Sequence, residues 1–227
     1  MSKITIQDFL HAVQEGNLAL IQTYHQHGGD LQTDQDYALR WSARNGHLLI
    51  VQYLLQNGVD VHAGNDEALR WGAGNGHLAV VQALIKNGAD IHADHDYALR
   101  QSAAYGHLAV VQCLLRQGAD LHADLDGALQ LSAEYGHLPV VQYLLANGAN
   151  VHADQDGALR CGSENGHLHV VQCLIQNGAD ILVGRKASKN QPRVFAWLED
   201  YQRSQYEQTL FHQELKSGRS SLKTKRL

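Results

Sequence analysis

The chain has 227 residues, 44% of them hydrophobic and 18% charged, with 21 Gly, 2 Pro and 15 His and a formal net charge of −5. That apolar share excludes general disorder. The longest apolar stretch, Leu48 to Leu55, is broken by Gln52 and too short to span a bilayer. The opening MSKITIQDFLHAVQ lacks the basic-then-apolar layout of a secretory signal. Cys113, Cys161 and Cys173 form an odd set without a C-x-x-C, which predicts reduced thiols in a cytoplasmic compartment.

Internal repetition organises the chain. Gly-His-Leu begins at Gly46, Gly76, Gly106, Gly136 and Gly166, always 30 residues apart, and a degenerate Gly16-Asn17-Leu18 lies one period upstream. The units run 4–33, 34–63, 64–93, 94–123, 124–153 and 154–183 within an array over 1–183. Six copies at one period predict an all-α solenoid, in which only stacked neighbours can bury each unit's apolar face.

Each unit carries two helical patterns. The first follows an Asp (Asp36, Asp66, Asp96, Asp126, Asp156) placed to cap a helix start, and turns Ala38, Leu39 and Ala43 inward in the second unit. Gly46 breaks it. A second helix runs from Leu48 to about Gln56, with Leu48, Val51, Leu54 and Leu55 at helical spacing. Gly58 is expected to end it in a left-handed conformation, and Val59 to Asn65 to be an extended return.

The period stops near Val183. Residues 184–191 read as a basic linker, and Pro192 suits the first position of a capping helix over 192–217. Val194, Phe195, Trp197, Leu198 and Tyr201 give that helix an apolar stripe, continued more loosely by Tyr206, Leu210, Phe211 and Leu215. Its first half is expected to cover the last unit. Residues 218–227 form a basic, flexible tail containing Lys-Thr-Lys-Arg, a weak nuclear-import pattern.

Gly46-His47-Leu48, Tyr37-Ala38-Leu39-Arg40 and Gly88-Ala89-Asp90-Ile91-His92-Ala93 resemble the G-H-L, T-P-L-H and G-A-D-V-N-A signatures of the ankyrin repeats. The resemblance covers about residues 4–183. The period of 30 is shorter than the family's usual 33, and the Thr-Pro is missing. This compact variant is similar to arrays of giant amoebal viruses and amoeba-associated intracellular bacteria. The resemblance implies a non-enzymatic, monomeric protein-binding module that uses its concave face, with an effector or viral adaptor acting on host proteins as the leading context. It also implies that the tail could carry an export signal. A housekeeping scaffold, or a nucleic-acid or anionic-lipid binder working through the tail, are the alternatives.

Chemistry is not expected. There is no G-x-S-x-G, no Gly-rich phosphate loop and no H-E-x-x-H, and no cofactor is implied. Equivalent histidines on adjacent units lie roughly 8–10 Å apart, while Zn–N bonds are about 2 Å, so a shared metal ion is not expected either. A structural role, tying loops of successive units together, fits the periodic histidines better; only His25 with His27, or His92 with His95, could take a metal adventitiously. By the resemblance, His62, His92, His122 and His152 are candidate sites for an oxygenase that hydroxylates return loops.

Slots that vary between units are the candidates for partner contact: Tyr37, Trp41, Arg44, Trp71, Tyr97, Tyr105, Glu134, Tyr135 and Glu164. Aromatics and Arg are the usual interface anchors. Trp41 and Trp71 read equally well as packing between units. Arg40, Arg70, Arg100 and Arg160 form a ladder, interrupted by Gln130, that either pairs with the capping aspartates or offers a phosphate-binding stripe. Charge opposes nucleic acid as a partner: residues 1–182 hold 8 Lys and Arg against 19 Asp and Glu, and residues 183–227 hold 10 against 4.

Overall fold

The computed structural model describes residues 4–216, with side chains described except at 34–36 and 214–216. Among the described residues there are fourteen α-helices and no strand. Six pairs come first: α1 Ile6–Glu15 with α2 Leu18–Gln26, α3 Thr33–Arg44 with α4 Leu48–Gln56, and α5 Ala63–Gly74 with α6 Leu78–Lys86. Then follow α7 Ala93–Ala104 with α8 Leu108–Arg116, α9 Ala123–Glu134 with α10 Leu138–Ala146, and α11 Ala153–Glu164 with α12 Leu168–Gln176. Two further helices, α13 Ile181–Ala187 and α14 Pro192–Lys216, close the C-terminal side.

The odd-numbered helices stack in one layer and the even-numbered helices in a second. Between the layers run ladders of equivalent side chains. Leu39, Leu69, Leu99, Leu129 and Leu159 are at most 1% exposed, and Leu54, Leu84, Leu114, Leu144 and Leu174 are fully buried. Each contributes about 1.5–3 kcal/mol through burial. Ala43, Ala73, Ala103 and Ala133 are also at 0%, small enough to let the paired helices close on one another. The second helices end as expected: Gly58 has φ 82°, and the N–H of Val59 reaches back to the carbonyl of Leu54 at 3.2 Å.

The return to the next unit differs from the extended segment expected. Asp60 Oδ1 accepts the N–H of His62 at 2.9 Å, turning the chain. A single left-handed turn follows, in which residues 64–66, 94–96, 124–126 and 154–156 all have φ between 48° and 62°. Only then does the right-handed helix begin. That turn presents the aspartate to the neighbouring unit. Asp66, Asp96, Asp126 and Asp156 therefore do not cap their own helices; each Oδ1 accepts the N–H of the residue 24 positions on (Asp90, Asp120, Asn150 and Asp180), at 2.8, 2.8, 2.9 and 3.2 Å. The side chain of Asp36 lies outside the described residues.

The Gly-His-Leu motif is a second joint between units. His47, His77, His107 and His167 place Nε2 2.9–3.1 Å from the carbonyls of Gln14, Arg44, Gly74 and Glu134 in the preceding unit. A carbonyl only accepts, so Nε2 carries the proton. Each imidazole also lies against the preceding unit's left-handed glycine; a Cβ on Gly76 would come within 2.6 Å of His107 Nδ1. At the end of the array Gln191 takes the same place. Its side chain lies over Gly166, and its Nε2 donates to Glu164 O at 2.8 Å.

The expected linker at 184–191 is instead structured. Its first residues belong to α13, and Ser188–Asn190 form a 3-10 turn in which Ser188 is buried. Gly184 sits close to Leu159 and Leu198, which lets α13 lie against α11. Arg185 pairs with Glu199 and donates to Gln202, locking α13 to α14. Val194 and Leu198 of α14 are buried, while Phe195, placed in the stripe from sequence, is 37% exposed. The second half of α14 leaves Tyr206, Leu210 and Phe211 exposed. Residues 217–227, including the basic tail, lie outside the described residues.

Candidate functional site

The first helices of the second to fourth units bring together an aromatic and cationic cluster. Arg70, Arg44, Trp71, Tyr97 and Tyr105 line a groove of about 690 Å³ between α5 and α7. The Arg44 guanidinium lies 4.7 Å from the ring centroid of Trp41 and 5.1 Å from that of Trp71. Those two indoles meet edge to face at 5.8 Å. Tyr97 receives Arg70 at 5.5 Å and Arg100 at 5.4 Å. Tyr105 stands at the rim, 60% exposed.

The two tryptophans differ in placement. Trp41 packs on the core, while Trp71 lines the groove. Tyr37 lies tilted against Trp41 with ring centroids 5.5 Å apart, and its hydroxyl accepts from Gln14 Nε2 at 2.7 Å, which ties it to α1. The other predicted residues lie further along the array. Glu134 lines a groove of about 320 Å³ with Leu125, Leu131 and Cys161. Glu164 lines one of about 420 Å³ with Arg160, Val183 and Lys186. Tyr135 is 55% exposed at the turn after α9.

The arginine ladder is occupied, though not by the aspartates expected from sequence. Arg40 bonds Glu67 at 2.6 Å, and Arg70 and Arg100 reach Asp94 and Asp124 of the following units at 3.4 and 2.7 Å. Arg160 pairs with Asp154 of its own unit at 2.8 Å. The aspartates named as caps are buried elsewhere, so the acids two residues earlier, or Glu67, take the pairing. A stripe of free guanidinium groups for phosphate does not form. At the gap, Gln130 Nε2 donates to Leu125 O at 2.8 Å.

The return-loop histidines face their own aspartates: His62, His92, His122 and His152 place Nδ1 3.0–3.2 Å from Oδ1 of Asp66, Asp96, Asp126 and Asp156. Among the described residues no three His, Cys, Asp or Glu side chains are arranged to hold a metal ion. Burial pushes the Cys161 thiol up from its ordinary value, which keeps it protonated and a poor nucleophile. Burial does the same to Cys173.

Sequence reasoning missed Leu125 and Gln191. Leu125 stood in plain view, an apolar residue in the slot held by Asn65, His95 and Gln155. Gln191 follows Gly166 at a spacing unlike that of the repeated histidines, and no periodic signal marks it.

No curated protein matches the chain. Among solved structures, it is similar to the ankyrin repeat domain of human ASB11, at 22% identity over 76% of this chain and 84% of that one, with a TM-score of 0.70. No helix among the described residues is long and apolar enough to cross a membrane. The family model for ankyrin repeats (3 copies) matches residues 9–95 and again 99–184, and with the stacked helix pairs this places the chain in the ankyrin-repeat family, whose members generally serve as protein–protein interaction modules.

Proposed function

We propose that this chain is a non-enzymatic, monomeric adaptor that holds a partner protein on the face formed by its first helices, centred on the groove between α5 and α7. The observation that carries this reading is the gathering of Arg44, Trp71, Tyr97 and Tyr105 around one open groove. Aromatic side chains and arginine with partly buried stems and exposed tips are the common composition of interface hot spots. The raised thiol of Cys161 and the carboxylate-paired arginines argue against nucleophilic or phosphate chemistry on the same face.

The resemblance to arrays of amoebal viruses and amoeba-associated bacteria supports a cytoplasmic role on host proteins, as a viral adaptor or a delivered effector. The return-loop histidines His62, His92, His122 and His152, each 55–59% exposed, remain proposed hydroxylation sites. Affinity capture from amoebal and human lysates tests the main reading, with the full chain, residues 1–218 and a Tyr105→Ala/Tyr135→Ala variant as baits. A partner kept by 1–218 and lost by the double variant supports it. Equal capture by the double variant and the parent chain overturns it.

A further inference from the structure

The slot two residues before each Gly-His-Leu holds Arg44, Gly74, Ala104, Glu134 and Glu164 in successive units. A cation at one end, two small residues and then two carboxylates make a charge gradient along the inner face. Among the described residues Arg44 is exposed and its guanidinium has neither a hydrogen-bond acceptor nor a carboxylate; it rests against the two indole rings. The ladder arginines Arg40, Arg70, Arg100 and Arg160, by contrast, each have an acid. The side chains of Glu134 and Glu164 likewise make no ion pair among the described residues. Gly74 lines the groove itself and Ala104 is buried, so neither slot adds a charge between Arg44 and Glu134.

We infer, resting on the reading that this face binds a partner, that the occupant is an extended peptide segment with an acidic side chain on Arg44 and a basic one on Glu134. Arg44 is prepared for a carboxylate. Rings flank the guanidinium, lowering the cost of fixing it, and a carboxylate is its natural partner. The array as a whole is acidic, with 19 Asp and Glu against 8 Lys and Arg over residues 1–182. An acidic segment is therefore repelled by most of the surface and admitted at this end, which fixes its direction. Spacing follows from packing. Three units at roughly 8–10 Å each separate Arg44 from Glu134, and an extended chain advances about 3.3 Å per residue. The acidic and basic residues of the segment are then about eight positions apart.

Selection of random dodecapeptides displayed on phage against the immobilised full chain tests this. Enriched sequences should carry Asp or Glu at one end and Lys or Arg about eight residues away. For a synthetic peptide of the enriched sequence, Arg44→Glu should weaken binding about tenfold or more. A peptide whose acidic residue is replaced by Lys should bind that variant better than the parent chain. A variant that merely lost shape would not show this rescue, and circular dichroism checks that Arg44→Glu and Tyr105→Ala keep the helical fold. If binding to Arg44→Glu stays within about twofold of the parent, or the charge-swapped peptide gains nothing, the inference is overturned. Neutral peptides lost on Tyr105→Ala would overturn the charge gradient while leaving the inner-face reading intact. Peptides indifferent to both substitutions would overturn both. Failure to enrich any peptide overturns the linear occupant, with the lysate capture still deciding the broader reading.

Discussion

The carboxylate of Asp96, buried to 4% exposure, accepts the backbone N–H of Asp120 at 2.8 Å across the boundary between two units. His92 Nδ1 lies 3.1 Å from the same oxygen, so one buried acid joins its own return loop to the next one. The same joint recurs at Asp66, Asp126 and Asp156. In an array where each unit touches only its neighbours, stability is a sum of unit and interface contributions, and these joints belong to the interface share.

Removing one joint should therefore weaken a boundary while leaving each unit's own core intact. Asp96→Ala leaves a part-buried N–H without its acceptor, and we expect a loss of about 2–3 kcal/mol in urea unfolding. Asp96→Asn keeps a carbonyl oxygen for Asp120 and should lose about 1 kcal/mol. Equal losses for the two variants would show that the charge on the acid, and not its acceptor geometry, carries the joint.

The imidazole ladder makes a parallel prediction, sharpened by Gln191. His107 fills the space against Gly76 and donates to Gly74 O at 3.0 Å. His107→Ala empties that space and frees the carbonyl, at a cost of about 2–3 kcal/mol. Gln191 performs the same task at the end of the array with an amide. His107→Gln should accordingly recover about half of the loss. If glutamine is no better than alanine in urea unfolding, the aromatic ring itself is the essential part.

Thiol reactivity tests the environment of the second groove. Burial raises the Cys161 thiol above its ordinary value, outweighing the favourable charge of Arg160 beside it. A raised value leaves less thiolate at neutral pH, and the thiolate is the reacting form. Iodoacetamide should thus alkylate Cys161 more slowly than a free cysteine near neutral pH, accelerating only above the usual thiol range. Peptide mapping by mass spectrometry reads this site by site. A rate at or above that of free cysteine would mean the groove is wetter, or more cationic, than its geometry indicates.

Period and apolar spacing made the helix pairs legible in the sequence, because a ladder such as Leu39, Leu69 and Leu99 is a packing requirement repeated unit by unit. The groove residues Arg44, Trp71, Tyr97 and Tyr105 were legible for the opposite reason: the scaffold leaves those slots free to vary. What stayed hidden was non-local. Nothing in the spacing of Asp66 says that its acceptor faces Asp90 and not the helix it precedes. Residues 184–191 lack the array's period, and their helix is held by contacts to Leu159, Leu198 and Glu199 that periodicity does not encode.

Leu125 offers a test that separates stability from partner contact. It has φ 56°, a left-handed conformation costly for a bulky side chain, and at 65% exposed that side chain recovers little by packing. Equivalent slots hold Asn65, His95 and Gln155, polar residues at the same positive φ. Asparagine tolerates that region far better than leucine. Leu125→Asn should therefore stabilise the chain by about 0.5–1 kcal/mol in urea unfolding. The same substitution removes an apolar lip from the groove that Glu134 lines. If partner contact extends onto that groove, Leu125→Asn weakens binding while raising stability. A variant more stable and equally competent would restrict the contact surface to the groove between α5 and α7. A destabilised variant would mean that Leu125 makes a packing contribution greater than its exposure implies.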